Sequence, residues 1–129
     1  YKVLSKTSVE YTKPIAKRAA VNIPAKVKLS GKTFNVTKIS ANAFRNNRVM
    51  KSLTIGSNVT TIGANAFYGC KNLNTIVIKT AKLTSKTVGA NAFAKTGAKP
   101  VVTVPAKQFN TYKTLLRSKG ISTKAVYKK

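Results

Sequence analysis

Ile62-Gly63-Ala64-Asn65-Ala66-Phe67-Tyr68-Gly69-Cys70-Lys71-Asn72-Leu73 decides the fold, because the core of this stretch occurs three times in the chain. The core reads Ser40-Ala41-Asn42-Ala43-Phe44 earlier and Gly89-Ala90-Asn91-Ala92-Phe93 later. The phenylalanine that ends each copy recurs after 23 residues and then after 26. Periods of about 20–50 residues indicate stacked structural repeats. The sequence therefore predicts a repeat protein.

An apolar alternation follows each copy at a constant distance. Leu53, Ile76 and Val102 each lie fourteen residues after the apolar residue that precedes a copy. The segments around them, Leu53-Thr54-Ile55, Ile76-Val77-Ile78 and Val102-Thr103-Val104, have the period of two that is typical of a strand. Val21-Asn22-Ile23 has the same form, so four strands are expected to stack as a parallel ladder. Because one coil cannot bury its own apolar side, a solenoid with capped ends is expected.

Two positions of the repeat have predicted structural roles. Phe44, Phe67 and Phe93 are interpreted as core plugs that stack into a continuous spine. The Asn at 42, 65 and 91 is expected to satisfy backbone groups in a tight turn or to cap a short helical turn. A ligand-binding row of asparagines is the alternative interpretation.

Catalysis is not predicted. Proton transfer, nucleophilic attack and metal binding draw mainly on His, Asp, Glu and Cys, and this chain contains no His, one acidic residue (Glu10) and one cysteine (Cys70). No catalytic, metal or cofactor site follows from this composition. Cys70 has no partner for an internal disulfide, and burial is the preferred interpretation over a reactive thiol.

The chain of 129 residues is interpreted as one structural domain. Residues 1–38 are expected to form capping strands, with a hairpin near each of residues 1–11 and 27–36, the second a decorating insertion. Residues 39–105 hold three repeats, with a loop where 79–87 lengthens the second. Residues 106–129 are expected to form a capping helix over about 106–119 and a final strand near Ala125-Val126-Tyr127. The start at Tyr1 and the absence of a signal peptide or membrane span suggest a piece of a larger protein.

The charge is extreme, with 25 Lys and Arg against one acid, a formal net charge of +24. Residues 1–38 hold nine basic residues and 106–129 hold seven, so the ends are about twice as basic as the repeats. Lysine at exposed ends opposes stacking on other molecules. A solvated surface normally mixes both signs of charge, so the near absence of acids indicates a function.

The stretch from Ile62 to Leu73, followed by Ile76-Val77-Ile78, closely resembles the BspA-like leucine-rich repeats of bacterial surface and secreted proteins. The likeness covers about residues 19–105. It implies a right-handed leucine-rich-repeat solenoid, an extracellular location and roles in adhesion. It carries over no catalytic or binding residues.

The first hypothesis is a binding module for anionic surfaces such as cell-wall polymers, acidic glycans or phospholipid headgroups. Lysine outnumbers arginine, which favours diffuse contacts over bidentate recognition. The candidate contacts are Lys13, Lys17, Arg18, Lys26, Lys28, Lys79, Lys82, Lys86, Lys107, Lys113, Arg117, Lys119, Lys128 and Lys129.

The second hypothesis is a protein-adhesion domain that binds host or bacterial surface proteins through the outer face of the strand ladder. Its candidate residues are neutral: Asn22, Ser52, Thr54, Thr75, Val77, Val101 and Thr103. Nucleic acid is expected to bind only non-specifically, because aromatic residues are not interleaved with the basic clusters.

Overall fold

The computed structural model describes residues 1–14 and 16–129. Within them the chain forms short strands, a turn of 3-10 helix at Ala106–Gln108 and one α-helix. The elements are β1 (Lys2–Val3), β2 (Ser8–Tyr11), β3 (Ala20–Ile23), β4 (Lys26–Leu29), β5 (Lys32–Ile39), β6 (Ser52–Ile55), β7 (Thr61–Ile62), β8 (Thr75–Ile78), β9 (Val101–Thr103), α1 (Phe109–Ser118) and β10 (Val126–Lys128).

One parallel sheet, here called the repeat sheet, contains one strand from each of the three predicted repeats and one further strand at each edge. Its spatial order is β10-β9-β8-β6-β3, and every neighbouring pair is parallel. Leu53, Ile76 and Val102 lie side by side in register and are at most 1% exposed. The four strands predicted from the alternation are therefore confirmed, and the predicted final strand joins the ladder as β10.

A second sheet, the N-terminal sheet, lies at the start of the chain with the order β1-β2-β5-β4 and with β7 paired to β5. Both predicted hairpins are present as antiparallel pairs, β1 with β2 and β4 with β5. The interpretation of the second hairpin as a decorating insertion is wrong, because β5 continues to Ile39 and pairs with β2 and β7 as well. Its pairing with β2 shifts by one residue, since Val9 lies opposite Val36 but Glu10 lies opposite Lys38.

Backbone hydrogen bonds also join consecutive repeats outside the repeat sheet. Ile39 pairs in parallel with Ile62, and Ile62 bridges to Val88. At the phenylalanine corner, backbone N–H groups of one repeat donate to carbonyl groups of the next: Asn42 to Ala64, Phe44 to Ala66, Asn46 to Tyr68, Asn65 to Ala90, Phe67 to Ala92 and Gly69 to Ala94. The repeats are thus held in one register along their length.

The phenylalanine of each repeat is buried and stacked on the next. The ring centroids of Phe44 and Phe67 are 5.3 Å apart, and those of Phe67 and Phe93 are 5.1 Å apart. The three side chains are at most 2% exposed. The predicted spine is confirmed, and it extends into the first hairpin, because Tyr11 stacks on Phe44 at 5.4 Å.

The repeated asparagine has a backbone role that the sequence analysis did not predict. Asn42, Asn65 and Asn91 have φ angles of 61°, 57° and 57°, the left-handed region that asparagine tolerates better than most residues. Among the described residues, the one side-chain hydrogen bond of these three amides is from Arg45 to Asn42. The predicted amide bond to the backbone is therefore wrong, and the backbone conformation explains the residue.

The C-terminal helix covers the last repeat, with Tyr112, Leu115 and Leu116 buried. It follows the single turn of 3-10 helix and ends before Gly120, whose φ is 105°. The N–H of Phe93 donates to the carbonyl of Lys119, whereas the N–H of Phe67 donates to the carbonyl of Ala92 in the following repeat. The predicted helix is confirmed with slightly shorter α-helical bounds.

Candidate functional site

The outer face of the repeat sheet carries the seven neutral candidate residues in two rows. Asn22, Thr54, Val77 and Thr103 are neighbours in register, and so are Ser52, Thr75 and Val101. All seven are exposed or partly exposed, as expected for the outward positions of strands whose alternate residues are buried.

Strand β10 adds residues to both rows that the sequence analysis missed. Lys128 lies opposite Thr103, and Val126 lies opposite Val101. The spacing of the repeat does not apply to β10, which follows the helix, so its register was not visible in the sequence. The face is neutral along most of its length and has a positive charge at its C-terminal edge.

The basic candidates near the N-terminus fall into two groups. Lys13 and Arg18 line a depression of about 380 Å³ that Tyr1 and Tyr11 share. Lys17 lies with Lys13 beside a smaller depression of about 290 Å³. Lys26 and Lys28 are on the same, exposed side of β4.

Two of the basic candidates near the C-terminus lie over aromatic rings. The Nζ atom of Lys113 lies 5.9 Å from the ring centroid of Tyr127, and that of Lys129 lies 5.1 Å from the centroid of Phe109. Burial raises the pKa of Tyr127, and the charge of Arg117 acts in the opposite direction. Lys119 is half-buried, whereas Lys107, Arg117 and Lys128 are exposed.

The structure does not bring the N-terminal and the C-terminal basic candidates together. Strands β3 and β10 are the opposite edges of the repeat sheet, about 19 Å apart at about 4.8 Å per strand. Lys79, Lys82 and Lys86 lie between these edges, along the exposed loop that follows β8. The predicted contacts are therefore spread over the molecule.

A further basic group, which the sequence analysis missed, lies at the phenylalanine corner. Arg48, Lys71 and Lys95 line an open groove of about 480 Å³ with Asn46, Tyr68 and Gly69. The guanidinium carbon of Arg45 lies 5.0 Å from the ring centroid of Tyr68. Arg48 and Lys71 are each four residues after a repeat phenylalanine, so an alignment of the repeats reveals this pair. Lys95 is two residues after Phe93, and its place in the group is visible only in the structure.

The lone acidic residue is used within the fold. The hydroxyl of Ser40 donates a hydrogen bond to Glu10 Oε2, and the Nζ atom of Lys38 lies 3.9 Å from Oε1. The Glu10 side chain is only 12% exposed. It therefore neutralises little of the positive surface.

Cys70 is fully buried, as the sequence analysis preferred. Its Sγ atom donates to the carbonyl of Phe44 at 3.1 Å. Burial raises the pKa of the thiol to about 11, so little thiolate exists at neutral pH. In the part of the chain that the structure describes, no group of three or more His, Cys, Asp or Glu residues could hold a metal ion.

A family model for the BspA type leucine-rich repeat region, in six copies, matches residues 21–117. The chain belongs to this family. The match includes the repeat strands β3, β6, β8 and β9 and most of helix α1, so the family assignment and the observed ladder agree.

The fold of this chain is similar to that of a solved structure, a leucine rich cell surface protein from Faecalibacterium prausnitzii A2-165. The TM-score is 0.57 at 23% sequence identity, over 82% of this chain and 34% of that one. The chain thus spans about a third of the length of that protein. A comparison with curated protein sequences finds no match.

No helix in residues 1–14 and 16–129 of this BspA-type repeat region is long and apolar enough to cross a membrane.

Proposed function

We propose that the chain is a non-catalytic binding module of a bacterial secreted or cell-surface protein, and that it attaches to anionic cell-wall polymers or acidic glycans. In this proposal the repeats wind as a short right-handed solenoid, with the N-terminal hairpins and helix α1 as its caps. Membership of the BspA-type repeat family supports the surface location and the binding role.

The observation that carries this proposal is the one-sided charge. The sequence has 25 basic residues and one acid, and that acid, Glu10, is engaged by Ser40 and Lys38. Such a surface attracts polyanions through its long-range field. Each exposed lysine contact contributes only about 0.2–1 kcal/mol, so binding is the sum of many contacts and falls with salt.

The test is a pull-down of the 129-residue chain on bacterial cell walls, intact and stripped of teichoic acid, across a salt series. Binding that is lost on stripping and falls steeply with salt is expected. Undiminished binding to stripped walls, or no binding to intact walls, would reject the proposal.

A second candidate function is protein adhesion through the outer face of the repeat sheet. The observation that favours it is the composition of the two in-register rows. Val77 and Val101 are partly exposed there, and from β3 to β9 the rows carry no charged residue, the first being Lys128 in β10. A protein contact on this face is expected to be insensitive to salt. Thr54→Lys should abolish it, whereas the same substitution should not weaken binding to a polyanion.

A further inference from the structure

The groove at the phenylalanine corner is built from three consecutive repeats. Asn46, Gly69 and Lys95 hold the same position in each, two residues after the phenylalanine. Their φ angles are 60°, 77° and 60°. The backbone hydrogen bonds from Asn46 to Tyr68 and from Gly69 to Ala94 hold the three positions side by side. The groove is therefore part of the repeat framework rather than a mobile loop.

Gly69 lines the groove between Asn46 and Lys95. Its left-handed backbone does not by itself require glycine, because Asn46 and Lys95 adopt nearly the same φ angle. A Cβ atom on Gly69 would instead collide with the side-chain amide oxygen of Asn46. Glycine in the middle repeat thus leaves room for the side-chain amide of Asn46 beside it in the groove.

Three basic side chains line the groove. Arg48 and Lys71 occupy equivalent positions in neighbouring repeats, and the amide of Asn72 donates to the carbonyl of Arg48 at 2.7 Å, which fixes the spacing of the two backbones. Lys95 comes from the third repeat, and all three basic side chains are exposed. Arg45 rests on the Tyr68 ring at the rim. The carboxylate of Glu10 is engaged elsewhere, in the N-terminal sheet.

We propose that this groove is the principal binding site of the module for a linear anionic polymer. Arg48 and Lys71 bind one acidic group of the polymer, and Lys95 binds the next, while the Asn46 amide and the Tyr68 hydroxyl are available to polar groups between them. Successive repeats are separated by about 4.8 Å, so the site suits acidic groups spaced along a chain. This inference rests on the proposed attachment to anionic polymers and states where on the chain the polymer binds.

The recognised chemistry is an oxyanion, either a backbone phosphodiester or a sugar carboxylate. A guanidinium and two ammonium groups at one groove offer several charge-assisted hydrogen bonds to either one. The lysines Lys79, Lys82 and Lys86 are also candidate contacts and carry the same total charge, but they lie along a single loop that follows β8. They therefore compare the groove with an equally charged cluster elsewhere on the surface.

The experiment compares two triple variants of the 129-residue chain. The groove variant carries Arg48→Gln, Lys71→Gln and Lys95→Gln, and the loop variant carries Lys79→Gln, Lys82→Gln and Lys86→Gln. Each lowers the net charge by the same amount and alters only exposed side chains. Kd is measured by calorimetry with a poly(glycerol phosphate) oligomer and with an oligogalacturonate, and amide shifts are followed in 15N spectra.

We expect the groove variant to bind about tenfold more weakly, and the loop variant no more than about threefold, because the first loses contacts that converge on one stretch of the polymer and the second loses only dispersed contacts and long-range attraction. Amide shifts should centre on Gly69, Lys71 and Lys95. A larger effect with one oligomer assigns the acidic group to that chemistry.

Equal weakening in the two variants would overturn the groove site and leave the proposed function standing. Failure of the unsubstituted chain to bind either oligomer or intact walls would reject the proposed function and the site together.

Discussion

The hydroxyl of Tyr112 donates a 2.8 Å hydrogen bond to the carbonyl oxygen of Thr80 and accepts a 3.1 Å hydrogen bond from the N–H of Leu83. Tyr112 lies in helix α1 and is fully buried. The other two residues lie in the loop that lengthens the second repeat. One phenol therefore joins the C-terminal helix to the loop and satisfies two backbone groups there.

Tyr112→Phe is expected to lower the free energy of unfolding by about 1–3 kcal/mol, because it leaves a buried N–H and a buried carbonyl group without their partner. Urea denaturation followed by circular dichroism measures the effect. Tyr68→Phe is the matched control, since Tyr68 is only half-buried and its hydroxyl has no hydrogen bond to the described residues. Equal effects of the two substitutions would contradict the role given to Tyr112.

Gly63 and Gly89 pack against the backbone of the preceding repeat. A Cβ atom on Gly63 would collide with the backbone of Ala41, and one on Gly89 with that of Ala64. The first copy has Ser40 at this position. Its N–H donates to the carbonyl of Tyr11 and its hydroxyl to the carboxylate of Glu10. The element before this copy is the N-terminal hairpin rather than a repeat, and it leaves room for a side chain.

Gly63→Ala should therefore destabilise the fold by about 3 kcal/mol, because backbone atoms cannot move aside as a side chain can. Ser40→Gly should cost only about 1 kcal/mol, mainly through the lost hydrogen bond to Glu10. Urea denaturation measures the free energy of unfolding of both variants. If Gly63→Ala were as mild as Ser40→Gly, the close approach of the repeats would not explain the glycine.

The sequence predicts most of the repeat sheet because strict alternation in each repeat specifies both the strand and its buried face. It predicts less of the N-terminal sheet. In β5, Phe34 and Val36 alternate, but the next buried apolar residue is Ile39, three positions on. The shifted pairing with β2 breaks the period of two at this point, and the sequence-based strand therefore stopped at Val36.

The candidate site was harder to predict for a different reason. The basic clusters visible in the sequence consist of residues close along the chain, whereas the groove joins Arg48, Lys71 and Lys95 across three repeats. Their proximity depends on the stacking of the repeats, which hydrogen bonds at the phenylalanine corner maintain. A comparison of equivalent positions in the repeats finds Arg48 and Lys71, but Lys95 is offset from them by two positions.

Asn65 is predicted to stabilise the fold because it tolerates a left-handed backbone conformation, with a φ of 57°. Asn65→Ala should cost about 1–2 kcal/mol, because a Cβ-bearing residue without asparagine's local polar interactions is strained in this region. Asn65→Gly should change the free energy of unfolding by less than about 0.5 kcal/mol. Asn110→Ala, at an exposed helical position, is the control for loss of an amide. Equal costs for the Ala and Gly variants at position 65 would point to the side chain instead.

Cys70 is predicted to be unreactive in the folded protein. Burial raises its pKa from the ordinary 9.0 to about 11, which lowers the thiolate fraction at pH 8 about 100-fold. Alkylation by iodoacetamide should be at least that much slower than in denaturant, and mass spectrometry measures both rates. Similar rates with and without denaturant would show that the thiol is accessible.

The same shift makes stability depend on pH. Because the folded-state pKa is the higher one, the unfolded chain loses its thiol proton first, and stability should fall as the pH rises from about 9 to about 11. A shift of about two units corresponds to about 2–3 kcal/mol. Burial also raises the pKa of Tyr11, Tyr112 and Tyr127, so tyrosines contribute to the pH dependence of stability as well. The quantity to measure is therefore the difference between the unsubstituted chain and Cys70→Ala at pH 8 and at pH 10.5. A difference that stays constant between these pH values would mean that the thiol titrates alike in the folded and unfolded chains.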